Sequence, residues 1–196
     1  MAKELSETEK NKLAERIAQA VGRPSFRAGM FSLERFPLPF YKNAFDVHIK
    51  NFTSRPVTTR EYVCDDEHVF ETDGEEDSLL EINKALSLSL TEENAAEYAA
   101  FHFQKVAIDN SFARLAFSAE DVIGENFDEN LCETLKKIIR APEVRKTADG
   151  FTVSGFVLLD DTLFKADLGI DKNGAVSIDD EEIVYEDLPV QKIMLR

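Results

Sequence analysis

The chain has few cysteines, no long apolar run and no dense stretch of basic residues. Only Cys64 and Cys132 occur among its 196 residues, so there is neither a disulfide framework nor a CxxC metal or redox pair. No apolar segment approaches the roughly 20 residues that a membrane-spanning helix needs. The formal net charge of -15 repels phosphate backbones and anionic membrane surfaces. We therefore expect neither a nucleic-acid nor a membrane partner and, because the first residues lack the apolar core of a secretory signal, a cytoplasmic protein.

Catalytic motifs with a fixed spacing are also missing. The sequence contains no GxSxG, GxxxxGK[ST], GxGxxG or HExxH pattern, which removes the usual sequence support for hydrolase, P-loop, dinucleotide-binding and zincin chemistry. We expect no cofactor, and we favour a protein that is not an enzyme. Carboxylates from distant segments, such as Asp160 or Asp161 with a residue of another strand, could still gather into an acid–base site. A small enzyme of that kind, acting in a pocket of a curved sheet, is the first alternative.

What is present is a well-patterned globular sequence, with 43% hydrophobic residues and 15 phenylalanines. Ser6 and Glu9 have the spacing of a capping box, and apolar residues then recur at helical intervals as far as Gly22. Residues 1–25 are therefore predicted to form an amphipathic helix that packs on the domain or serves as an arm. Residues 26–196 are predicted to form a single α+β domain.

Alternation of apolar and polar residues predicts most of the strands. Residues 45–50 alternate in this way, residues 57–72 are predicted to form a hairpin, and the last third contains three strand patterns joined by tight turns. Helical patterns begin near Ser78, Thr91 and Asp128. The fold class that follows is α+β, with a curved antiparallel sheet, a C-terminal β-meander and three to four helices packed on one face.

A proline-containing aromatic segment is the best apolar candidate for a contact surface. Residues 36–41 contain four large apolar residues and two prolines, Pro37 and Pro39, which hold an extended shape at low entropic cost. The alternative is that this segment closes one end of the core. Phe101 falls on the polar side of the helix predicted to begin near Thr91. Either that helix is covered on two sides, or the Phe101 ring is free to contact a partner. The predicted contact residues, for a protein partner or a small apolar ligand, are Phe36, Leu38, Phe40, Tyr41 and Phe101.

The charge is divided along the chain. Residues 1–60 contain 11 basic and 6 acidic residues, whereas residues 61–196 contain 12 basic and 32 acidic residues. Residues 65–81 alone contain nine acids and no Lys or Arg. Such a surface would attract a basic partner, although carboxylates are also expected at turns and in the first turn of a helix. The favoured function is therefore a binding or interaction protein with an aromatic patch and an acidic face.

Two short acidic segments contain residue types that bind metals. Asp171, Asn173 and Glu182 stand at positions 1, 3 and 12 of an EF-hand spacing, but position 6 is valine instead of the required glycine. We expect an Asn-Gly hairpin turn there, with divalent-cation binding as the second alternative function. Residues 64–68 combine Cys, three carboxylates and His, and a turn is again favoured because a structural zinc site needs four ligands. His48 lies on the polar side of its strand and is predicted to be a surface or boundary residue rather than a metal ligand.

The chain ends with an apolar segment that follows Pro189. Leaving these side chains in water would be costly. We expect the segment to pair with the sheet or to lie across a second copy in a homodimer. Its apolar residues are Val190, Ile193, Met194 and Leu195.

Overall fold

The structure is a computed structural model that describes residues 5–108 and 111–190. The chain forms two compact units. The first unit extends to Thr72 and the second begins at Asp73, except that Ala85–Ser87 belongs to the first. Each unit contains its own antiparallel sheet.

The described part of the first unit consists of one helix and a four-stranded antiparallel sheet. The helix precedes the strands in the chain, and each strand pairs with the next one. The elements are α1 (Glu7–Ala20), β1 (Phe31–Pro37), β2 (Phe45–Asn51), β3 (Thr58–Cys64) and β4 (Val69–Glu71).

Helix α1 packs on one face of this sheet. Its N-terminus has the predicted capping box, in which Ser6 Oγ accepts the Glu9 N–H at 3.4 Å and Glu9 Oε2 accepts the Ser6 N–H at 2.9 Å. Ala14 and Ile17 are buried in one cluster with residues of β1, β2 and β3. The segment that the sequence set apart as a helix or arm contributes in this way to the core of the first unit.

Alternation along β2 gives the first sheet two different faces. Val47 and Ile49 are fully buried in the cluster with α1. Asp46, His48 and Lys50 project from the opposite face because successive side chains of a strand alternate. The strand predicted from this alternation is confirmed. The face away from α1 therefore carries polar and titratable side chains.

Three α-helices, one short 3-10 helix (Ala119–Asp121) and a five-stranded antiparallel sheet make up the described part of the second unit, although Ala85, the last residue of its first helix, is assigned to the first unit. Its elements are α2 (Glu76–Ala85), α3 (Ala95–Lys105), β5 (Ala113–Ala116), α4 (Glu129–Ile138), β6 (Glu143–Lys146), β7 (Gly150–Leu159), β8 (Thr162–Asp171) and β9 (Val176–Tyr185). The strand order is β5-β7-β8-β9, and β6 pairs with the first half of β7. The long strands β7, β8 and β9 form the C-terminal meander that the sequence predicts.

Alternation along β8 buries one face of the meander. Leu168 and Ile170 are buried, whereas Lys165 and Asp167 are exposed. Helix α4 packs on the other face, at the end of β8 where Leu163 is buried in a cluster with Leu135 of α4 and residues of β5 and β7. The second unit thus has a hydrophobic cluster of its own.

The α+β class and the antiparallel pairing are confirmed, but the strands divide between two sheets instead of forming one. The first sheet ends before a turn in which Gly74 has a φ of +90°, and α2 and α3 follow before the next strand.

Two of the observed strands, β1 and β6, were not predicted from the sequence. β1 ends at Pro37, and proline is tolerated at the end of an edge strand because no hydrogen bond of the sheet is lost there. β6 has only four residues, which is too short to give a clear alternation. None of the described helices is long and apolar enough to cross a membrane.

Val190 is the last described residue. Shortly before it, the Leu188 N–H donates to the Asp161 carbonyl at 2.9 Å, and the Leu188 side chain is buried. The rest of the predicted apolar tail, Ile193 to Leu195, lies outside the described residues.

Candidate functional site

The predicted aromatic contact surface is largely buried. Leu38, Phe40 and Tyr41 follow β1 and are only 7%, 1% and 5% exposed. Phe40 and Tyr41 pack edge to face, with their ring centroids 4.9 Å apart. Phe36, near the end of β1, is 45% exposed. Of these four residues, only Phe36 has a side chain that a partner could readily reach.

Phe101, the fifth predicted contact residue, lies in α3 of the second unit and is buried. The Lys105 ammonium group lies 5.6 Å from the centroid of its ring, which is a cation–π distance. Eight residues of α3 are buried, and Tyr98 and His102 are among them. Phe101 stands on the predicted polar side because α3 is covered on more than one side.

The segment with EF-hand spacing begins with a hairpin turn between β8 and β9, as the sequence predicts. Asp171 Oδ1 accepts the backbone N–H groups of Asn173 and Ala175 at 2.8 and 2.9 Å. Glu182 lies on β9 opposite Lys165, six residues along β8 from Asp171, which corresponds to about 20 Å in an antiparallel strand. The structure therefore does not bring Asp171, Asn173 and Glu182 together.

Two buried side chains anchor this turn. Asn83 Nδ2 donates to the Asn173 carbonyl at 2.9 Å, and Tyr98 Oη donates to the Gly174 carbonyl at 2.6 Å. Asn83 Nδ2 also donates to Tyr98 Oη at 2.7 Å. Burial raises the pKa of Tyr98 above its usual range, so the hydroxyl keeps its proton and remains a donor. The turn is a packed structural element whose carbonyl groups already have donors.

Cys64, the last residue of β3, and His68, in the turn that follows, are the pair considered for zinc. Asp65 Oδ1 accepts the N–H groups of Glu67 and His68 at 2.8 and 2.6 Å, and His68 Nδ1 lies 3.2 Å from the same oxygen. Cys64 is buried on the α1 side of the sheet, and burial raises the pKa of its thiol to about 11. The carboxylate closes the turn, and Cys64 lacks the thiolate that nucleophilic catalysis at neutral pH requires.

A cavity of about 300 Å³ lies between α1 and the first sheet. Its lining mixes basic and acidic side chains. Arg16 donates to the carbonyl oxygens of Asp65 and Asp66 at 2.6 and 2.8 Å, and the Arg35 guanidinium lies 4.1 Å above the ring of Phe45. Both arginines in the lining are thus engaged in contacts that hold the first unit together.

His102 of α3 is an imidazole beside a carboxylate, but it is only 4% exposed. Its Nε2 lies 3.5 Å from Oε1 of Glu76. Burial lowers the pKa of His102, although the charge of Glu76 acts in the opposite direction. The neutral ring is a packing residue of the second unit, because a substrate would not reach it from solvent.

Three ligand-type side chains converge on the face of the first sheet opposite α1. Asp46 and His48 are two residues apart on β2, and Glu61 of β3 stands directly opposite His48 in the register. His48 Nε2 lies 2.9 Å from Asp46 Oδ2 and 3.9 Å from Glu61 Oε2. The ligand atoms of all three residues lie within 4.8 Å of one another. The side chains of Asp46, His48 and Glu61 are 6%, 29% and 38% exposed, so the cluster is buried at one side and open at the other.

Sequence reasoning missed this cluster. The Asp-x-His spacing in an alternating strand does place Asp46 and His48 on one face, and this signal is readable from the chain. The position of Glu61 depends on how β2 and β3 are aligned, and residues 52–57 between them do not determine that alignment in a way the sequence reveals. Strand register, and not spacing along the chain, assembles the three side chains.

Strand β9 is an edge strand with an acidic surface. Within the described residues it pairs only with β8, it spans ten residues, and none of them is fully buried. Residues 176–187 contain six acidic residues and no basic one. Ile178, Ile183 and Tyr185 are 40%, 55% and 38% exposed. The edge therefore combines backbone groups that face away from β8 with both acidic and apolar side chains.

No family model matches the chain, and no curated protein or solved structure shows a significant match to it.

Proposed function

We propose that this chain is a binding protein that takes up an extended, basic segment of a partner protein along β9. The observation that carries this function is the ten-residue edge strand, on which acidic and apolar side chains stand next to outward-facing backbone groups. An added strand would form main-chain hydrogen bonds with β9, and its alternate side chains would lie beside those of β9. The pairing of β9 with β8 shifts register at Leu163/Phe164 and at Asp167/Leu168, so residues 180–183 form the regular stretch along which the added strand would pair.

The charges on β8 and β9 favour a basic partner. Asp180 of β9 stands directly opposite Asp167 of β8, and like charges in that position repel each other. A lysine or arginine of an added strand would lie next to Asp180 and reduce this repulsion. Glu182, which stands opposite Lys165, is the next acid on the same face. An acidic partner would instead add to the six acidic charges between residues 176 and 187.

We also propose that the protein is cytoplasmic, as its sequence predicts. Cys64 and Cys132 are both free thiols, and Cys64 is buried. Free thiols are compatible with a reducing compartment, in which a partner protein would also be found.

The test uses a fluorescent peptide of alternating lysine and valine, matched in length to β9, and measures anisotropy during titration with the full chain. We expect binding that weakens as salt is added, because charge attraction is screened. A peptide of the same sequence with N-methyl groups on its outward-pairing amides keeps every charge but loses its backbone donors. Equal binding of both peptides would show that charge alone acts and that strand addition is wrong.

The matching variants change the charge of the protein. Asp180→Lys with Glu182→Lys should weaken peptide binding by at least about tenfold, since two attractive contacts become repulsive. Glu133→Lys together with Glu129→Lys makes the same charge change on exposed positions of α4 and should leave binding within about twofold, because neither residue belongs to the strand that pairs with the peptide. Equal losses in the two double variants would contradict a site on β9.

A further inference from the structure

We propose that Asp46, His48 and Glu61 form a binding site for a divalent transition-metal ion, for which Zn²⁺ is the best-fitting example. This site lies in the first unit and is independent of peptide binding by β9. It uses the three residues whose ligand atoms converge on the face of the first sheet opposite α1.

The spacing of the ligand atoms suits a small ion. Zinc bonds to imidazole nitrogen and carboxylate oxygen of about 2.0–2.2 Å place neighbouring ligands of a tetrahedral site about 3.4 Å apart. The distances from His48 Nε2 to Asp46 Oδ2 and to Glu61 Oε2 are 2.9 and 3.9 Å, one on each side of that value. His48 Nε2 and Asp46 Oδ2 are within hydrogen-bonding distance, so the ion would replace this hydrogen bond, with Nε2 unprotonated and the ring hydrogen on Nδ1. Small rotations of the two carboxylates would then bring all three atoms into bonding distance of one ion. Three protein ligands leave the fourth position open for water or another ligand.

The charge of the cluster also suits a dication. As metal ligands, the two carboxylates and the imidazole would together carry two negative charges, which one divalent ion balances. Asp46 is nearly fully buried, and a buried carboxylate is stabilised when a positive group stands beside it. Glu34 of β1, an exposed residue opposite His48 in the register, adds a further carboxylate to the same face. Lys50, two residues after His48 on β2, is a basic residue on that face.

The ligand set also selects the class of ion. Calcium takes six to eight oxygen ligands at about 2.3–2.6 Å, and an imidazole nitrogen is a poor replacement for one of them. Imidazole with carboxylates is typical of zinc and its first-row neighbours. Cys64 of β3 projects toward α1, on the other face of the sheet from Glu61, so a soft sulfur ligand does not join the site.

Phe36 contributes to the position of the imidazole. Its ring packs on that of His48, with centroids 5.1 Å apart and planes tilted by 58°. Contacts that fix the orientation of a ligating ring raise metal affinity. The exposed aromatic residue near the end of β1 therefore has a role in this site without contacting the ion.

His68 and Asp65 provide a matched control in the same unit. They also pair an imidazole with a carboxylate, at 3.2 Å, and His68 is accessible. However, Asp65 Oδ1 already accepts two backbone N–H groups. Loss of His68 should therefore leave binding at the Asp46, His48 and Glu61 site unchanged.

The test is calorimetric titration of the full chain with ZnCl₂, in parallel with thermal unfolding in the presence of Zn²⁺ or EDTA. We expect one Zn²⁺ per chain and a rise in melting temperature, because an ion that binds the folded state stabilises it. His48→Gln and Glu61→Gln should each weaken Zn²⁺ binding by more than about tenfold. Loss of a residue that only supports a ligand already weakens metal binding by about tenfold, and loss of a ligand should weaken it more. Circular dichroism would confirm that both variants, whose altered side chains are partly exposed, remain folded.

His68→Gln should bind Zn²⁺ like the unaltered chain, and CaCl₂ should have no comparable effect. The proposal is overturned if the unaltered chain does not bind Zn²⁺, or if His48→Gln and Glu61→Gln bind it as tightly as the unaltered chain. A loss in His68→Gln equal to that in His48→Gln would overturn the assignment to these residues. Equally tight binding of Ca²⁺ would overturn the assignment to a transition metal.

Discussion

Two places in this molecule contain residue types that bind cations, and they differ in what their oxygen atoms contact. In the turn after β8, the Asp171 carboxylate accepts two backbone N–H groups, and Asn83 and Tyr98 donate to two carbonyl groups of the turn. On the open face of the first sheet, Asp46 and Glu61 approach the same His48 nitrogen from two strands. The oxygens of the turn accept hydrogen bonds that hold the turn together, whereas the carboxylate oxygens of Asp46 and Glu61 both lie near His48 Nε2.

This contrast shows that nearness in sequence is a poor guide to a ligand set in a β protein. Asp and Asn in a turn bond to the backbone of the same turn, which is the reason that turns favour them. Side chains on neighbouring strands face one another across about 5 Å, so residues far apart in sequence meet. His48 and Glu61 are such a pair, whereas Asp171 and Glu182 lie on opposite ends of a paired segment.

Gly174→Ala, in the turn after β8, should have the largest effect on the free energy of unfolding among the substitutions that test this contrast. A methyl group on Gly174 would overlap Tyr98 Oη and Asn83 Nδ2, and the φ of +88° is strained for alanine. We expect the free energy of unfolding to fall by about 3 kcal/mol or more, measured by urea denaturation. Gly74→Ala is the control, because its φ is +90° but its nearest neighbour lies 3.9 Å away. Equal losses in the two variants would show that the turn is not tightly anchored.

Asp171→Ala should have an intermediate effect. It removes the acceptor for the N–H groups of Asn173 and Ala175 and should lower the free energy of unfolding by about 1–2 kcal/mol. The loss should be the same in CaCl₂ and in EDTA, because the carboxylate acts within the turn. Lys172→Ala, an exposed change in the same turn, should cost less than about 0.5 kcal/mol. A loss that appears only in CaCl₂ would restore the calcium hypothesis for Asp171.

Glu182→Gln should have the smallest effect on stability. Glu182 is exposed on β9, away from the turn that Asp171 closes. We expect a change in the free energy of unfolding within about 0.5 kcal/mol, with or without calcium. Thermal unfolding followed by circular dichroism would measure it. A calcium-dependent shift in the melting temperature that this variant abolishes would show that Glu182 is a ligand after all.

Much of the fold follows from local patterns. The capping box at Ser6 and the alternation along β8 predict α1 and the meander, because each pattern reflects one buried side of one element. β1 was missed because prolines argue against a strand, although Pro37 occupies the end of an edge strand. The division into two sheets depends on which strands pair, and that is decided by packing far from each strand in sequence.

The candidate sites were less predictable than the fold. The Phe-rich segment was predicted as a contact surface from its composition, yet Phe40 and Tyr41 are buried, and composition does not distinguish a buried ring from an exposed one. His48 was predicted to be a surface or boundary residue, and its partly exposed ring agrees with that. Its neighbourhood could not be predicted, because Glu61 reaches it only through the register of β2 and β3.

The attachments of β9 have a kinetic consequence for any strand that adds to it. On one side, Asn83 and Tyr98 hold the turn that leads into β9, and on the other side the Leu188 N–H is bonded to Asp161. A template tethered at both ends needs little rearrangement before a partner docks. The association rate should then rise linearly with partner concentration, without the plateau that a slow opening step would impose, and stopped-flow mixing would reveal which of the two occurs.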